Sequence, residues 1–206
     1  MSLRTPAAAF KRQKNEAYYT PPSASRPVLH WLNQFGLLEG KTLELWEPAA
    51  GAGDIAHEVQ HYWGLDILAT DLNPARNQVC PVTVLDFLSA KGPSGNGPLG
   101  IITNPPYGHH NRAALAFMAH GLEILEQRLG FMALLLPFEI DTRKSRNPLF
   151  ADHHYYAGKL TLGERVRWLN LPQSPNDPMG SHSWFIWATD ERKRRMIRLE
   201  CHGRVI

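Results

Sequence analysis

From residue 28 onward, short apolar runs alternate along the chain with polar stretches of helical spacing. Val28, Leu29, Trp31, Leu32 and Phe35 recur at near-helical intervals behind Pro21, Pro22 and Ser23, which predicts a short helix closed by Gly36 and Gly40. The runs at 43–47, 66–70, 82–85, 99–103 and 131–136 predict five strands, and two more are expected at 165–169 and 183–188. Residues 53–63 and 112–128 have amphipathic helical spacing, whereas 91–98 is a Gly-, Pro- and Ser-rich connection in place of a crossover helix. Strands alternating with helices predict an α/β domain, a doubly wound and mostly parallel sheet with helices on both faces. Such sheets bind ligands outside the carboxyl ends of their strands. The loops after Glu47, Thr70, Leu85 and Thr103 are therefore the expected functional edge.

Composition narrows the class. A chain of 206 residues, 43% hydrophobic and 20% charged, suits one globular domain. The longest apolar run, 131–136, is far too short to span a bilayer, and Ala7-Ala8-Ala9 is no secretory segment. Cys80 and Cys201 alone support neither a disulfide framework nor a cysteine zinc site. Ten histidines include the adjacent pairs His109-His110 and His153-His154, but no zinc-ligand spacing recurs, so no metal is expected. These features predict a soluble, cytoplasmic protein. The net charge of +3 and pI near 9.0 are mildly basic. Arg4, Lys11, Arg12 and Lys14 lead the chain, and Arg192, Lys193, Arg194, Arg195 and Arg198 close it. Such clusters suit phosphates and equally suit solvated ends. The expected organisation is a basic flexible arm over 1–17, a folded domain over 18–190 and a basic tail over 191–206.

The first strand runs into Glu47-Pro48-Ala49-Ala50-Gly51-Ala52-Gly53-Asp54, where small residues let the backbone approach a ligand. Asp71 ends the next strand with a carboxylate suited to ribose hydroxyls, and Asp86-Phe87 offers an acid beside an aromatic wall for an adenine. Gly51-Ala52-Gly53-Asp54-Ile55-Ala56 also fits the dinucleotide-binding pattern, with Asp71 at about the expected ~20-residue distance. A pyrophosphate, however, needs a bare helix N-terminus. Glu47 and Asp54 bring negative charge there, which suits the ammonium of a methionine moiety better.

The fourth strand delivers Asn104-Pro105-Pro106-Tyr107. Two prolines stiffen the loop and disfavour helix in the residues before them. An adenine amino group is a poor nucleophile because its lone pair is delocalised. An Asn oxygen and a proline carbonyl can each accept one of its N–H groups, and those bonds strengthen as the nitrogen attacks. A neighbouring aromatic stacks on the base and fixes its orientation. Asn104, Pro105, Pro106 and Tyr107 have these groups in order.

On these residues the chain resembles the class I amino-methyltransferases, whose signature is Asp/Asn/Ser-Pro-Pro-Tyr/Phe/Trp. The cofactor loop precedes the catalytic loop, as in the gamma-type DNA adenine methylases. The resemblance implies a Rossmann-like, seven-stranded sheet with an antiparallel last strand, a fold that suits the run from Trp184 to Trp187. It implies S-adenosyl-L-methionine as cofactor, bound by Tyr19, Thr20, Glu47, Pro48, Ala49, Gly51, Gly53, Asp71, Leu72, Asp86, Phe87 and Asn104. It implies catalysis by Asn104, Pro105, Pro106 and Tyr107. His109, Arg143, Lys144 and Trp168 are candidates for substrate contact, although Trp168 reads first as core and Arg143 and Lys144 equally as a solvated loop. The expected partner is nucleic acid, DNA ahead of RNA, with adenine as the target. RNA amino-methylation, protein glutamine methylation and a non-catalytic cofactor-binding module are the alternatives. Glutamine enzymes carry an extra N-terminal helical domain, and only residues 1–46 precede the cofactor loop here. The chain has room for loops but for no large target-recognition region, which leaves a place for a specificity partner; the oligomeric state is open.

Overall fold

A computed structural model describes residues 18–171 and 181–201. The expected arm at 1–17, with its basic cluster, and residues 172–180 lie outside the described residues. Helix α1 (Pro22–Gln34) opens the fold with Pro22 at its first position, where a missing N–H costs nothing. Then follow β1 (Glu44–Glu47), α2 (Asp54–Trp63), β2 (Leu68–Asp71), β3 (Thr83–Val84), β4 (Leu99–Thr103), α3 (Arg112–Gln127) and β5 (Gly130–Pro137). The chain closes with β6 (Tyr156–Thr161), β7 (His182–Ala188) and α4 (Glu191–Cys201). Among the described residues, no helix is long and apolar enough to cross a membrane.

The seven strands form one sheet in the order β3-β2-β1-β4-β5-β7-β6. All neighbouring pairs from β3 to β5 are parallel, and β7 runs antiparallel to both β5 and β6. The strand order reverses at β1, with β2 on one side and β4 on the other, and this creates the switch point at the carboxyl edge. β4 and β7 are buried throughout, and β5 at all but its ends, because both faces of the sheet are covered. The pleat divides β5: Phe131, Ala133 and Leu135 join α1 and α2 in one core, while Met132, Leu134 and Leu136 join α3 in the other. β7 divides likewise, Trp184 and Ile186 to the first core, Phe185 and Trp187 to the second. Three buried indoles are satisfied: Trp46 Nε1 donates to Thr70 Oγ1 (2.9 Å), Trp184 Nε1 to the Ala24 carbonyl (2.7 Å) and Trp187 Nε1 to the Leu149 carbonyl (2.8 Å).

The structure departs from the sequence reading at two places. Residues 165–169 form no strand, although Val166 and Trp168 are buried and Arg165, Arg167 and Leu169 exposed, as an extended chain requires. The Leu169 N–H bonds the Tyr19 carbonyl instead of a sheet neighbour. The sixth strand is Tyr156–Thr161, whose alternation is broken by Gly158 and by a register shift between Tyr156 and Gly158. Residues 191–201, expected in a basic tail, form α4, which anchors itself through the buried Ile197 and by Arg198 donating to the Tyr156 carbonyl (2.6 and 2.9 Å).

Candidate active site

The loop from β1 into α2 is shaped by two glycines. Gly53 caps α2 at φ 89°, and a Cβ there would stand 2.5 Å from Cys80 Sγ. Gly51, at φ 58°, faces the Tyr19 ring, which a Cβ would meet at 3.4 Å. A glycine cap has no side chain to accept the first N–H groups of the helix. Glu47 supplies the acceptor from the strand below: its Oε2 takes the Ala56 N–H at 2.7 Å. That carboxyl is buried, at 2% exposure, and burial pushes its pKa well above the ordinary value, with Asp54 and Asp71 adding to the push against the Ala56 hydrogen bond. Asp54 follows, half-buried, its carboxyl also raised chiefly by burial. Its Oδ2 is buried with no hydrogen-bond partner among the described residues.

Asp71 ties the edge together. Its Oδ2 accepts the Gly51 N–H (2.8 Å) and its Oδ1 the Asn73 N–H (2.7 Å), so it orders the glycine loop and keeps lone pairs for a ligand. Asp86 caps the turn Phe87–Ser89 by accepting the Leu88 N–H (3.1 Å). Phe87 is buried against Trp46 and Phe117, with ring centroids 5.1 and 4.6 Å away.

Around these residues lies a cavity of about 520 Å³. Tyr19, Thr20, Glu47, Pro48, Ala49, Gly51, Asp71, Leu72, Asp86, Phe87 and Asn104 line it, so eleven of the twelve residues expected to hold a cofactor meet there; Gly53 is not in its wall. Asp54 also lines it, an acid that the sequence marks only as charge beside the loop. Four carboxylates and no lysine or arginine face the cavity among the described residues. The helix N-terminus, already capped by Glu47, is unsuited to phosphate.

Asn104 ends β4 at the cavity rim. Its Nδ2 donates to the Tyr18 carbonyl (3.1 Å) and to Thr20 Oγ1 (3.2 Å). A carbonyl can only accept, so this pairing fixes the amide's orientation and turns Oδ1 the other way. There the Tyr107 hydroxyl donates to Oδ1 (3.0 Å), with the Leu135 carbonyl as a longer second acceptor (3.4 Å). Pro105 is buried and Pro106 borders the cavity. The Tyr107 ring lies 5.9 Å from that of His182, which meets Trp168 edge-on at 5.2 Å; Trp168 in turn touches Tyr18 at 5.4 Å. Trp168 is thus packed in the core and also joined through His182 to Tyr107. His182, inconspicuous in the sequence, is a contact that only the β5–β7 pairing reveals.

His109, Arg143 and Lys144 lie away from the cavity. His110 and Asn111, at φ 55° and 63°, turn the chain after Gly108 in a conformation that is strained for non-glycine residues. Hydrogen bonds from Asn111 N to the Gly108 carbonyl (3.2 Å) and from Ala113 N to the Tyr107 carbonyl (3.2 Å) hold the turn. It brings His109 beside Arg143 at a separate pocket, while Lys144 is exposed next in sequence.

No family model and no curated protein matches the sequence. Among solved structures, the chain is similar to a candidate RNA methyltransferase from Pyrococcus horikoshii: TM-score 0.61, 17% identity, 89% of this chain and 92% of that one. It is similar to a candidate class I S-adenosylmethionine-dependent methyltransferase from Listeria monocytogenes, with TM-score 0.59, 15% identity and 87% of this chain, and it spans 62% of that protein's length. A third likeness is to the M protein of the type I restriction enzyme EcoKI, with TM-score 0.51 and 15% identity over 83% of this chain and 44% of that one. The shared feature is the fold: this chain has the class I methyltransferase sheet, Rossmann-like with an antiparallel last strand.

Proposed function

We propose that this chain is an S-adenosyl-L-methionine-dependent methyltransferase acting on an exocyclic amino group, foremost adenine in DNA. The observation that carries the reading is the fixed Asn104 amide, whose Oδ1 points away from its two anchors at the rim of an acid-lined cavity. The cavity suits the cofactor chemically. A ligand bearing an ammonium and a sulfonium complements four carboxylates, one of which has a buried, unpartnered oxygen, whereas a pyrophosphate would be repelled. Asp71 and Asp86 would hold the ribose and adenine, with Phe87 as the apolar wall, and Glu47 and Asp54 would face the methionine end. When bound, S-adenosyl-L-methionine supplies a methyl group made electrophilic by its sulfonium.

The chain's own residues do the rest. Asn104 Oδ1 accepts one N–H of the incoming amine and the Pro105 carbonyl accepts the other, localising the nitrogen lone pair as the centre becomes tetrahedral. The Tyr107 hydroxyl occupies that acceptor in the free protein and gives it up when a base arrives, leaving the ring to stack on the base. The Asn104 anchors, Tyr18 and Thr20, are held in turn by Tyr19 N donating to Asn170 Oδ1 (3.0 Å) and Leu169 N donating to the Tyr19 carbonyl (3.0 Å). Likeness in fold to a candidate RNA methyltransferase and to the M protein of a type I restriction enzyme supports a nucleic-acid substrate. The order of the loops favours DNA.

Incubation with methyl-labelled cofactor and DNA, RNA or a protein extract, followed by digestion, tests the reading. Label is expected in N6-methyladenine from DNA. Label in glutamine alone contradicts the substrate, and no transfer to any polymer by cofactor-loaded protein contradicts the activity.

A further inference from the structure

Beyond the Asn104 loop, and sharing no residue with the acidic cavity, the chain builds a second pocket of about 410 Å³. His109, His110 and Asn111 from the strained turn meet Glu139, Arg143 and Arg146 from the segment leaving β5. Arg146 is half-buried and aimed: its Nη1 donates to the Ile140 carbonyl (2.8 Å) and its Nη2 to the His110 carbonyl (3.3 Å). These bonds tie the turn after Tyr107 to the β5 exit through one guanidinium. Neither Arg143 nor Arg146 forms an ion pair among the described residues. The Arg146 pKa is lowered, chiefly by burial and further by the Arg143 charge, so two guanidinium groups stand close without a neutralising partner. Glu139 is the single acid in the wall, and it is exposed. Nearby, Asp141 is engaged by Lys159 (2.9 Å).

A planar guanidinium held by backbone carbonyls, with donors to spare beside a second arginine and two imidazoles, is a site for a tetrahedral oxyanion. Its position, in the turn that follows Tyr107 and is held to it by the Ala113 N–H donating to the Tyr107 carbonyl (3.2 Å), sets it next to the loop that would hold the base. We propose that this pocket takes a phosphodiester group of the substrate strand next to the target nucleotide, an inference that rests on the nucleic-acid reading above. The contact positions the strand and carries no sequence information. The acidic cavity and the cationic pocket thus divide cofactor and substrate by charge, with the Asn104 loop between them.

The test uses a fluorescein-labelled, adenine-containing DNA strand of about a dozen nucleotides, with anisotropy measured across salt concentrations. Arg143→Ala is expected to weaken binding about tenfold and to reduce the slope of log affinity against log salt by about one. A single neutral methylphosphonate beside the target adenine should weaken the wild type similarly. It should have no further effect in Arg143→Ala/Arg146→Gln, because one contact has then been removed from both sides. Calorimetric affinity for S-adenosyl-L-methionine should be unchanged in every variant, since the cavity shares none of these residues. If Arg146→Gln fails that control, exposed Arg143 alone carries the comparison. A salt slope unchanged by Arg143→Ala, or phosphonate and arginine effects that add at every position, overturns the pocket while leaving the nucleic-acid reading intact. No DNA binding by cofactor-competent protein overturns both.

Discussion

Asn104 and Tyr107 form a self-satisfied pair in the free protein, and their two hydrogen-bonding groups have different roles. In Tyr107→Phe the ring remains and Asn104 Oδ1 is released from the phenol. The expected result is kcat equal to or above wild type with little change in KM. Tyr107→Ala removes the stacking surface and should raise KM by about tenfold, the lower range for a base–aromatic contact; steady-state kinetics on both variants checks this. Glu47 offers a second test at this scale. Its folded pKa is raised above the ordinary 4.5, so its favourable contribution is complete below that value and is lost as pH rises through the raised one. Glu47→Gln keeps an oxygen for the Ala56 N–H but cannot ionise. Its apoprotein Tm should exceed the wild type's by more near pH 8 than near pH 5, while its cofactor affinity falls; a constant Tm difference across that range contradicts the assignment. The identities of these residues were legible in the sequence. Their states were not, because Glu47 reads as a loop charge until the helix it caps is in place, and the Asn104 orientation depends on Tyr18 and Thr20, 86 and 84 positions away.

Among the elements, the turn from β1 into α2 is sterically tight at Gly53. Gly53→Ala places a methyl group 2.5 Å from Cys80 Sγ at φ 89°. We expect destabilisation of about 2–4 kcal/mol in urea unfolding, from left-handed backbone strain plus overpacking. Adding Cys80→Ala should recover the packing part and leave about 1–2 kcal/mol. Full recovery would mean that the backbone is not strained. The strands that the sequence made legible are the unbroken apolar ones, 99–103 and 131–136, where burial on both faces leaves little ambiguity. The exchange of 165–169 for Tyr156–Thr161 has a local cause. Arg165 to Leu169 alternates as a strand should, yet its backbone bonds the N-terminal segment over the site. Tyr156–Thr161 carries Gly158 and Lys159, which weaken the pattern, and is specified by pairing with β7. Alternation reports extended backbone; which partner the backbone finds is tertiary information.

Across the whole molecule, charge is sorted more sharply than a net of +3 suggests. Four carboxylates line the cavity behind the Asn104 loop, while Arg143 and Arg146 meet in the pocket beyond it. Their segregation follows from the fold, because the last residues of β1 and β2, the first of α2 and the turn after β3 supply the acids and the segment after β5 supplies the cations. The sequence revealed the acids through their places beside the glycine loop and at strand ends. It left the cationic side ambiguous, since Arg143 and Lys144 read equally as a solvated loop until the turn at His110 and Asn111 brings His109 beside Arg143. The proposed chemistry depends on Asn104 acting on an amine beside a bound methyl donor. Single-turnover transfer of labelled methyl to an adenine-containing DNA strand, at saturating cofactor and substrate, tests this most directly. The expected result is N6-methyladenine from the wild type and a rate about a hundredfold lower in Asn104→Ala, by analogy with losing one transition-state hydrogen bond. Transfer by Asn104→Ala at the wild-type rate would contradict it.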